Sequence, residues 1–184
     1  MSRKIKAIKI IILAGFICAV CIVLYPEFAD SINNCFQITS IGRYEDTTVN
    51  MSGEELDSIK AAAEQYNADI YNSQKADKFI YSGAEMETEE YYDILNVGGI
   101  TDAMAYIEIP EISLYIPIVH GTGTEKLKGN AGHMFGTSVP LGGINTHSVI
   151  TAHTGLDTAK LFTDVIKLAE GDKIFIHVLD EILE

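Results

Sequence analysis

Ala105-Tyr106-Ile107-Glu108-Ile109 and Ser113-Leu114-Tyr115-Ile116-Pro117-Ile118-Val119, split by Pro110-Glu111, form the stretch that decides the fold. Apolar and aromatic side chains recur there with a period of two, which is the period of a pleated strand. Two later runs, His147 to His153 (HSVITAH) and Lys173 to Leu179 (KIFIHVL), are also rich in β-branched or aromatic residues and read as strands. Glycine-punctuated turns lie between them at Gly121-Thr122-Gly123, Gly129 to Gly136 and Gly142-Gly143. One helix is expected at about 157–169, carrying Ala159, Phe162, Val165, Ile166 and Leu168, and it stops before Gly171-Asp172. Residues 103–184 therefore predict a mainly β fold with one crossover helix, and no internal repeat is visible.

Upstream the patterning changes twice. Residues 28–51 carry few periodic apolar positions. Ser52 then opens a capping box with Glu55, ahead of Leu56, Ile59, Ala63, Tyr66 and Ile70 at helical spacing, which predicts a helix over about 52–73. Residues 74–101 return to polar and acidic loop, with a short helix around Glu87 to Leu95 and a break at Gly98-Gly99. At the N-terminus, Ile10 to Tyr25 is a run without charge, and Lys6 and Lys9 can snorkel to extend its apolar length to roughly 20 residues, enough to span a bilayer. Arg3, Lys4, Lys6 and Lys9 before the run, with Glu27 and Asp30 after it, place the N-terminus in the cytoplasm and the body outside. A cleaved secretory signal is the alternative. Its boundary would read Tyr25-Pro26-Glu27-Phe28-Ala29, which lacks the small residues of a cleavage site, so the anchor reading is preferred. The resulting organisation is 1–27 basic head and membrane anchor, 28–102 helical linker with a possible lid loop, and 103–184 the β unit.

The 184 residues are 47% hydrophobic and 21% charged, with a formal charge of −13, which excludes a disordered acidic tail or a collagen-like repeat. Removing the four cations of the N-terminal head leaves residues 26–184 with nine Lys and Arg against 26 acids, a net −17. So negative a body repels phosphate backbones, and nucleic acid is excluded as a partner. Cys18 and Cys21 lie inside the apolar run and Cys35 just beyond it, so neither a disulfide framework nor a four-ligand zinc site can be built. No metal or other cofactor is called for. The chain also lacks a phosphate loop, an H-E-x-x-H helix and a G-x-S-x-G elbow.

Four blocks then fall in order: His120-Gly121-Thr122; Gly132-His133-Met134-Phe135-Gly136-Thr137-Ser138-Val139-Pro140-Leu141-Gly142-Gly143; Asn145-Thr146-His147-Ser148-Val149-Ile150-Thr151-Ala152-His153-Thr154-Gly155-Leu156; and Ala159-Lys160-Leu161-Phe162-Thr163-Asp164. Together they resemble the class C sortases, from about Met104 to Leu179. The resemblance implies a partial sortase-type β-barrel and a cysteine transpeptidase on the outer face of a Gram-positive membrane. Such an enzyme acts on Leu-Pro-x-Thr-Gly-like sorting signals of pilins or surface proteins, for pilus assembly or cell-wall anchoring. Its chemistry needs a cysteine thiolate to attack the Thr-Gly carbonyl, a histidine to move protons, and an arginine to stabilise the oxyanion. His153 matches the histidine, as general acid and base.

The other two members have no match. In the family the nucleophile ends a Thr-Leu-x-Thr-Cys strand and the arginine follows it, both beyond the matching region, whereas here Cys35 and Arg43 are the last of their kinds and both precede the β unit. The expectation is an N-terminal portion without transpeptidase activity, marginally stable on its own because four or five strands leave barrel edges open. The alternative is a non-catalytic, membrane-tethered binding module. The family's lid motif has its nearest counterpart in Asp77-Lys78-Phe79, with Asp77 and Phe79 as lid anchors and the usual proline missing. Among the remaining histidines, His120 and His133 fit structural hydrogen bonding, and His177 a surface or partly buried position. His147 and His153, six apart on one strand face, are too far apart to share one ion with His133.

Overall fold

The computed structural model describes residues 3–75, 87–97, 102–156 and 158–184. α1 (Arg3–Asn50) is a single helix of 48 residues, about 70 Å long at 1.5 Å per residue. It contains the apolar run, long and apolar enough to cross a membrane, and passes through Pro26, which forfeits one backbone hydrogen bond without ending it. Below Pro26 one face of α1 lies on the rest of the chain. Asp30 Oδ1 accepts from the Lys160 amide at 2.9 Å, Asn33 Nδ2 donates to the Thr158 carbonyl at 2.6 Å, and Gln37 Nε2 donates to the Gly129 carbonyl at 2.8 Å. Ile41 and Tyr44 continue that face into the core.

α2 (Gly53–Lys75) starts where the capping box places it, with the Ser52 amide donating to Glu55 Oε2 and the Glu55 amide to Ser52 Oγ. Its buried side carries Ala63 and Asn67. The Asn67 amide pairs both ways with the backbone of Val139, at 2.8 and 3.2 Å, and so pins α2 to the loop that crosses beneath it. α3 (Glu89–Asp93) is one short turn capped by Thr88, whose Oγ1 accepts from the Tyr91 amide at 3.2 Å.

Six strands make one mixed sheet: β1 (Ala103–Ile109), β2 (Leu114–His120), β3 (Ala131–His133), β4 (Ile150–Thr151), β5 (Phe175–Val178) and β6 (Glu181–Leu183), in the order β4-β3-β2-β1-β5-β6. β2 and β3 are parallel and every other pair is antiparallel. β1 and β2 are buried along almost their whole length because α1 covers one side. The core joins Ile41 and Tyr44 of α1 and Ala63 of α2 to Met104, Ile109 and Ile118 of the two central strands.

Several sequence expectations are corrected here. The described chain is not mainly β: α1 and α2 hold 48 and 23 residues, the strands between 2 and 7 each. The reason is that α1 does not stop after its apolar run but continues to Asn50, held by its contacts with the sheet. The crossover element is a 3-10 helix of seven residues, Leu161–Lys167, rather than a long α-helix. Phe162 donates its amide to the His153 carbonyl and Leu161 takes a φ of 40°, so the first turn is tied to the preceding loop and cannot open as α. His147 to His153 is not one strand, since only Ile150–Thr151 pairs regularly. Thr137 and Ser138 side chains accept from the Val149 and His147 amides, replacing ladder bonds that a regular strand would make. β3 and β6, both of three residues, raise the strand number above the four or five expected.

The two-residue turn between β5 and β6 sets Leu179 at φ 52°, a left-handed conformation that usually goes to Gly or Asn. Two helices hold it there. Tyr44 Oη accepts from the Leu179 amide at 2.7 Å while donating to the Met104 carbonyl at 3.1 Å, and Lys60 of α2 lies 2.7 Å from both Asp180 and Glu181. Burial pushes the Tyr44 hydroxyl pKa up to about 12, so it stays a donor throughout the working range. Tyr44→Phe leaves both backbone groups unpaired in the core and is expected to cost about 2 to 3 kcal/mol in urea unfolding. An unchanged midpoint would show that the turn does not depend on it.

Candidate active site

His153 lies two residues beyond the last residue of β4 and is half-buried. Its backbone is fixed on both sides: β4 pairs with β3 through Gly132↔Thr151 and His133↔Ile150, and the His153 carbonyl accepts from Phe162. Two residues on, the Gly155 amide donates to Thr163 Oγ1 at 2.8 Å, which ties the turn to the 3-10 helix. Among the described residues the imidazole itself has no hydrogen-bond partner. A half-buried imidazole on a backbone held in this way can give or take a proton at a neighbouring group.

The sulfur and guanidinium candidates are elsewhere. Cys18, Cys21 and Cys35 all lie on α1 and are exposed, as is Arg43. Asp30 and Asn33 do bring α1 to within a few residues of the His153 loop, at Lys160 and Thr158. Cys35, however, sits roughly 160° around the helix from Gln37, which faces the body, so its thiol points away. Asp77 and Phe79 lie outside the described residues. Among the described residues no three His, Cys, Asp or Glu side chains converge on a point that could hold a metal.

His120 and His133 belong to a buried polar cluster built around Tyr91, which is 1% exposed. Tyr91 Oη lies 2.9 Å from His133 Nδ1 and 3.0 Å from the His133 carbonyl, and accepts from the Gly121 amide at 3.1 Å. His133 Nε2 faces the Ser138 carbonyl at 2.9 Å. A carbonyl can only accept, so the proton of neutral His133 is on Nε2 and Nδ1 is the acceptor for Tyr91. The same logic puts the His120 proton on Nε2, 2.7 Å from the Ile94 carbonyl. Burial lowers the His133 pKa to about 4 and also lowers that of His120, so both rings are neutral near pH 7. The His120 and Phe135 rings stand edge-on to Tyr91, each 5.0 Å from it. The cluster thus locks α3, at the end of the linker, onto β2 and β3. Tyr91 was missed in the sequence. The available signal was Thr88 three residues before a paired Tyr91-Tyr92, a capped turn carrying an aromatic in an otherwise acidic segment.

His177 is half-buried, stacked on Tyr106 at 4.3 Å and 2.8 Å from Glu108. His147 is exposed and contributes its backbone, donating to Ser138 Oγ. Because the two no longer share a strand, the earlier placement of His147 and His153 on one strand face does not hold. A cavity of about 400 Å³ opens between α2 and the loop at 141–146, bordered by Lys60, Glu64 and Tyr71, and a second of about 180 Å³ lies between α1 and β2. His153 borders neither.

Comparison with known proteins adds the following. The sortase domain family matches residues 107–183. Sortase C-1 of Streptococcus pneumoniae is 35% identical, with a TM-score of 0.66 over 78% of this chain and 72% of that one. Sortase C1 of Streptococcus agalactiae is 31% identical, with a TM-score of 0.66 over the same shares. A pilus-related sortase C of Group B Streptococcus is 32% identical, with a TM-score of 0.63 over 76% of this chain and 69% of that one. No curated protein matches.

Proposed function

This chain belongs to the sortase C family, and from that premise we propose that it carries the acid–base half of a transpeptidase site, with His153 as the proton-transfer group. The observation that supports this most directly is the placement of His153 two residues beyond β4, which β3 holds, with its carbonyl tied to Phe162 and its ring without a hydrogen-bond partner among the described residues. The substrates in this reading are Leu-Pro-x-Thr-Gly-like sorting signals of pilins or surface proteins. His153 would protonate the amine leaving the Thr-Gly bond and deprotonate the incoming one. α1 anchors the chain through residues 5–25, with a cytoplasmic N-terminus and the body outside, where such signals are presented. Residues 28–102 form the linker, with Asp77 and Phe79 as lid anchors, and 103–184 the catalytic scaffold.

None of the three thiols is placed to act on a peptide beside His153, so the 184-residue chain is inactive in this reading. Incubated with a sorting peptide and triglycine, it is expected to give no transpeptidation product. Fusing the cysteine- and arginine-bearing strands of a class C sortase after Glu184 is expected to give thiol-dependent product, reduced about 10³-fold by His153→Ala. Product formed by the unfused chain and abolished by Cys35→Ala would overturn the assignment. The location of every thiol on α1 also favours a second reading, a tethered module that binds sorting signals without cutting them. Saturable peptide binding that survives His153→Ala distinguishes it.

A further inference from the structure

We propose that α1 also pairs two copies of this chain, side by side in one membrane, through a heptad seam centred on Tyr25 to Cys35. The inference rests on the reading of residues 5–25 as a membrane anchor. Cys18, Cys21, Tyr25, Phe28, Ile32 and Cys35 recur at alternating steps of three and four, the a/d spacing of a left-handed coiled coil. Ile11 and Ala14 extend the pattern toward the N-terminus and Thr39 toward the body, and no charged residue interrupts it. In the same register Asp30, Gln37 and Tyr44 occupy successive f positions, seven residues apart. Each of these is hydrogen-bonded to the body, at Lys160, Gly129 and Met104. An f position points away from the partner helix, so the bodies hang on the outside of such a pair and do not obstruct it.

Among the described residues nothing covers the seam. Tyr25, Phe28 and Ile32 are 59%, 67% and 54% exposed, and Phe36 and Ile38, which flank the seam, are 70% and 53% exposed. Lipid cannot account for all of this. A hydrocarbon core of about 30 Å takes roughly 20 residues, which from Lys6 ends near Tyr25, so Ile32 to Ile38 stand about 10 to 20 Å beyond it. An apolar face in that zone needs a protein partner. A second copy suits it because membrane insertion sets both helices parallel and at equal depth, so like residues meet. The small side chains of Ala14, Cys18 and Cys21 permit close approach within the bilayer. The net −17 of residues 26–184 opposes contact between bodies, which leaves the outward face of α1 as the surface along which two chains can meet.

Cys35 makes the proposal testable in the full chain reconstituted in vesicles. With Cys18→Ala and Cys21→Ala, copper–phenanthroline is expected to join Cys35 to its counterpart, taking two electrons and releasing two protons. A d position brings the two Cα atoms into disulfide range, so the yield should exceed by about tenfold that of Cys35→Ser with Asn34→Cys, whose thiol is turned off the seam. Phe28→Ala with Ile32→Ala should lower the Cys35 yield to the Asn34→Cys level while leaving the thermal midpoint unchanged, since both side chains are exposed. Equal yields at 34 and 35, or a product whose mass is not that of two chains, overturns the pairing. Carbonate extraction separates the premises: release from the vesicles overturns both anchor and pairing, whereas retention without selective cross-linking overturns pairing alone.

Discussion

Gly132→Ala is expected to cost about 3 to 4 kcal/mol, a large part of the stability of a domain this size. Gly132 is the middle residue of β3, paired with Val119 on one side and Thr151 on the other. A Cβ there would lie 2.3 Å from the Gly121 carbonyl oxygen and 2.7 Å from Leu127 Cδ2. Leucine can rotate away, but the oxygen belongs to the backbone. Gly121 cannot shift freely either, because its amide is shared between the His133 carbonyl at 3.0 Å and Tyr91 Oη at 3.1 Å. Relief of the clash therefore pulls apart β2 and β3 or the Tyr91 cluster, and β4 with His153 loses its support. Urea unfolding followed by circular dichroism measures the cost. Gly123→Ala, where the new Cβ meets nothing within 4 Å, is the matched control and should stay within about 0.5 kcal/mol of the parent. Equal midpoints for the two variants would mean that β3 is far looser than its geometry implies.

The same strand shows what a sequence can and cannot disclose. β1 and β2 are legible because they are seven residues each, apolar and β-branched, and bounded by Pro110 and Gly121. β3 is Ala-Gly-His. Nothing in its composition favours a strand, and it becomes one because a glycine lets it lie against the Gly121 turn. The start of α2 is equally legible, since Ser52 and Glu55 satisfy each other locally. The downstream reach of α1 is not, because the residues that hold it, Asp30, Gln37 and Tyr44, are polar or amphipathic and act through partners about 60 to 135 positions away.

At the site, His153 was visible only through the ordered blocks that resemble class C sortases. Its spacing alone suggested a strand shared with His147, and the hydroxyls of Thr137 and Ser138 displace that ladder. Tyr91 was invisible for a different reason. Its importance comes from burial against four backbone or ring groups contributed by β2, β3 and the Gly121 turn, and none of these is near it in sequence.

Acidification is expected to loosen the fold before carboxylates titrate. An unfolded histidine binds a proton near pH 6.5, whereas folded His133 resists it down to about 4, chiefly because burial penalises the charged ring. Between those values the unfolded chain holds more protons than the folded one, so stability is complete above pH 6.5 and falls as the pH drops toward 4. Linkage sets the loss from His133 at about 3 kcal/mol, and His120, lowered in the same direction, adds to it. Around His133 stand the Tyr91 and Thr137 hydroxyls, the Ser138 carbonyl and the nearby His120 ring, and among the described residues no carboxylate is in contact to stabilise a cation. Asp180, whose pKa Lys60 holds below the usual range, gives up its contribution only at lower pH. Urea midpoints at pH 7 and 4.5 should therefore differ strongly for the parent and much less for His133→Gln. Identical slopes in the two proteins would refute the assignment. Protonated His133 can no longer accept from Tyr91, and Tyr91 shares the Gly121 amide with β3. Hydrogen exchange at residues 131–133 and 150–153 should accordingly rise at pH 4.5 ahead of exchange in α2, which has no histidine to charge.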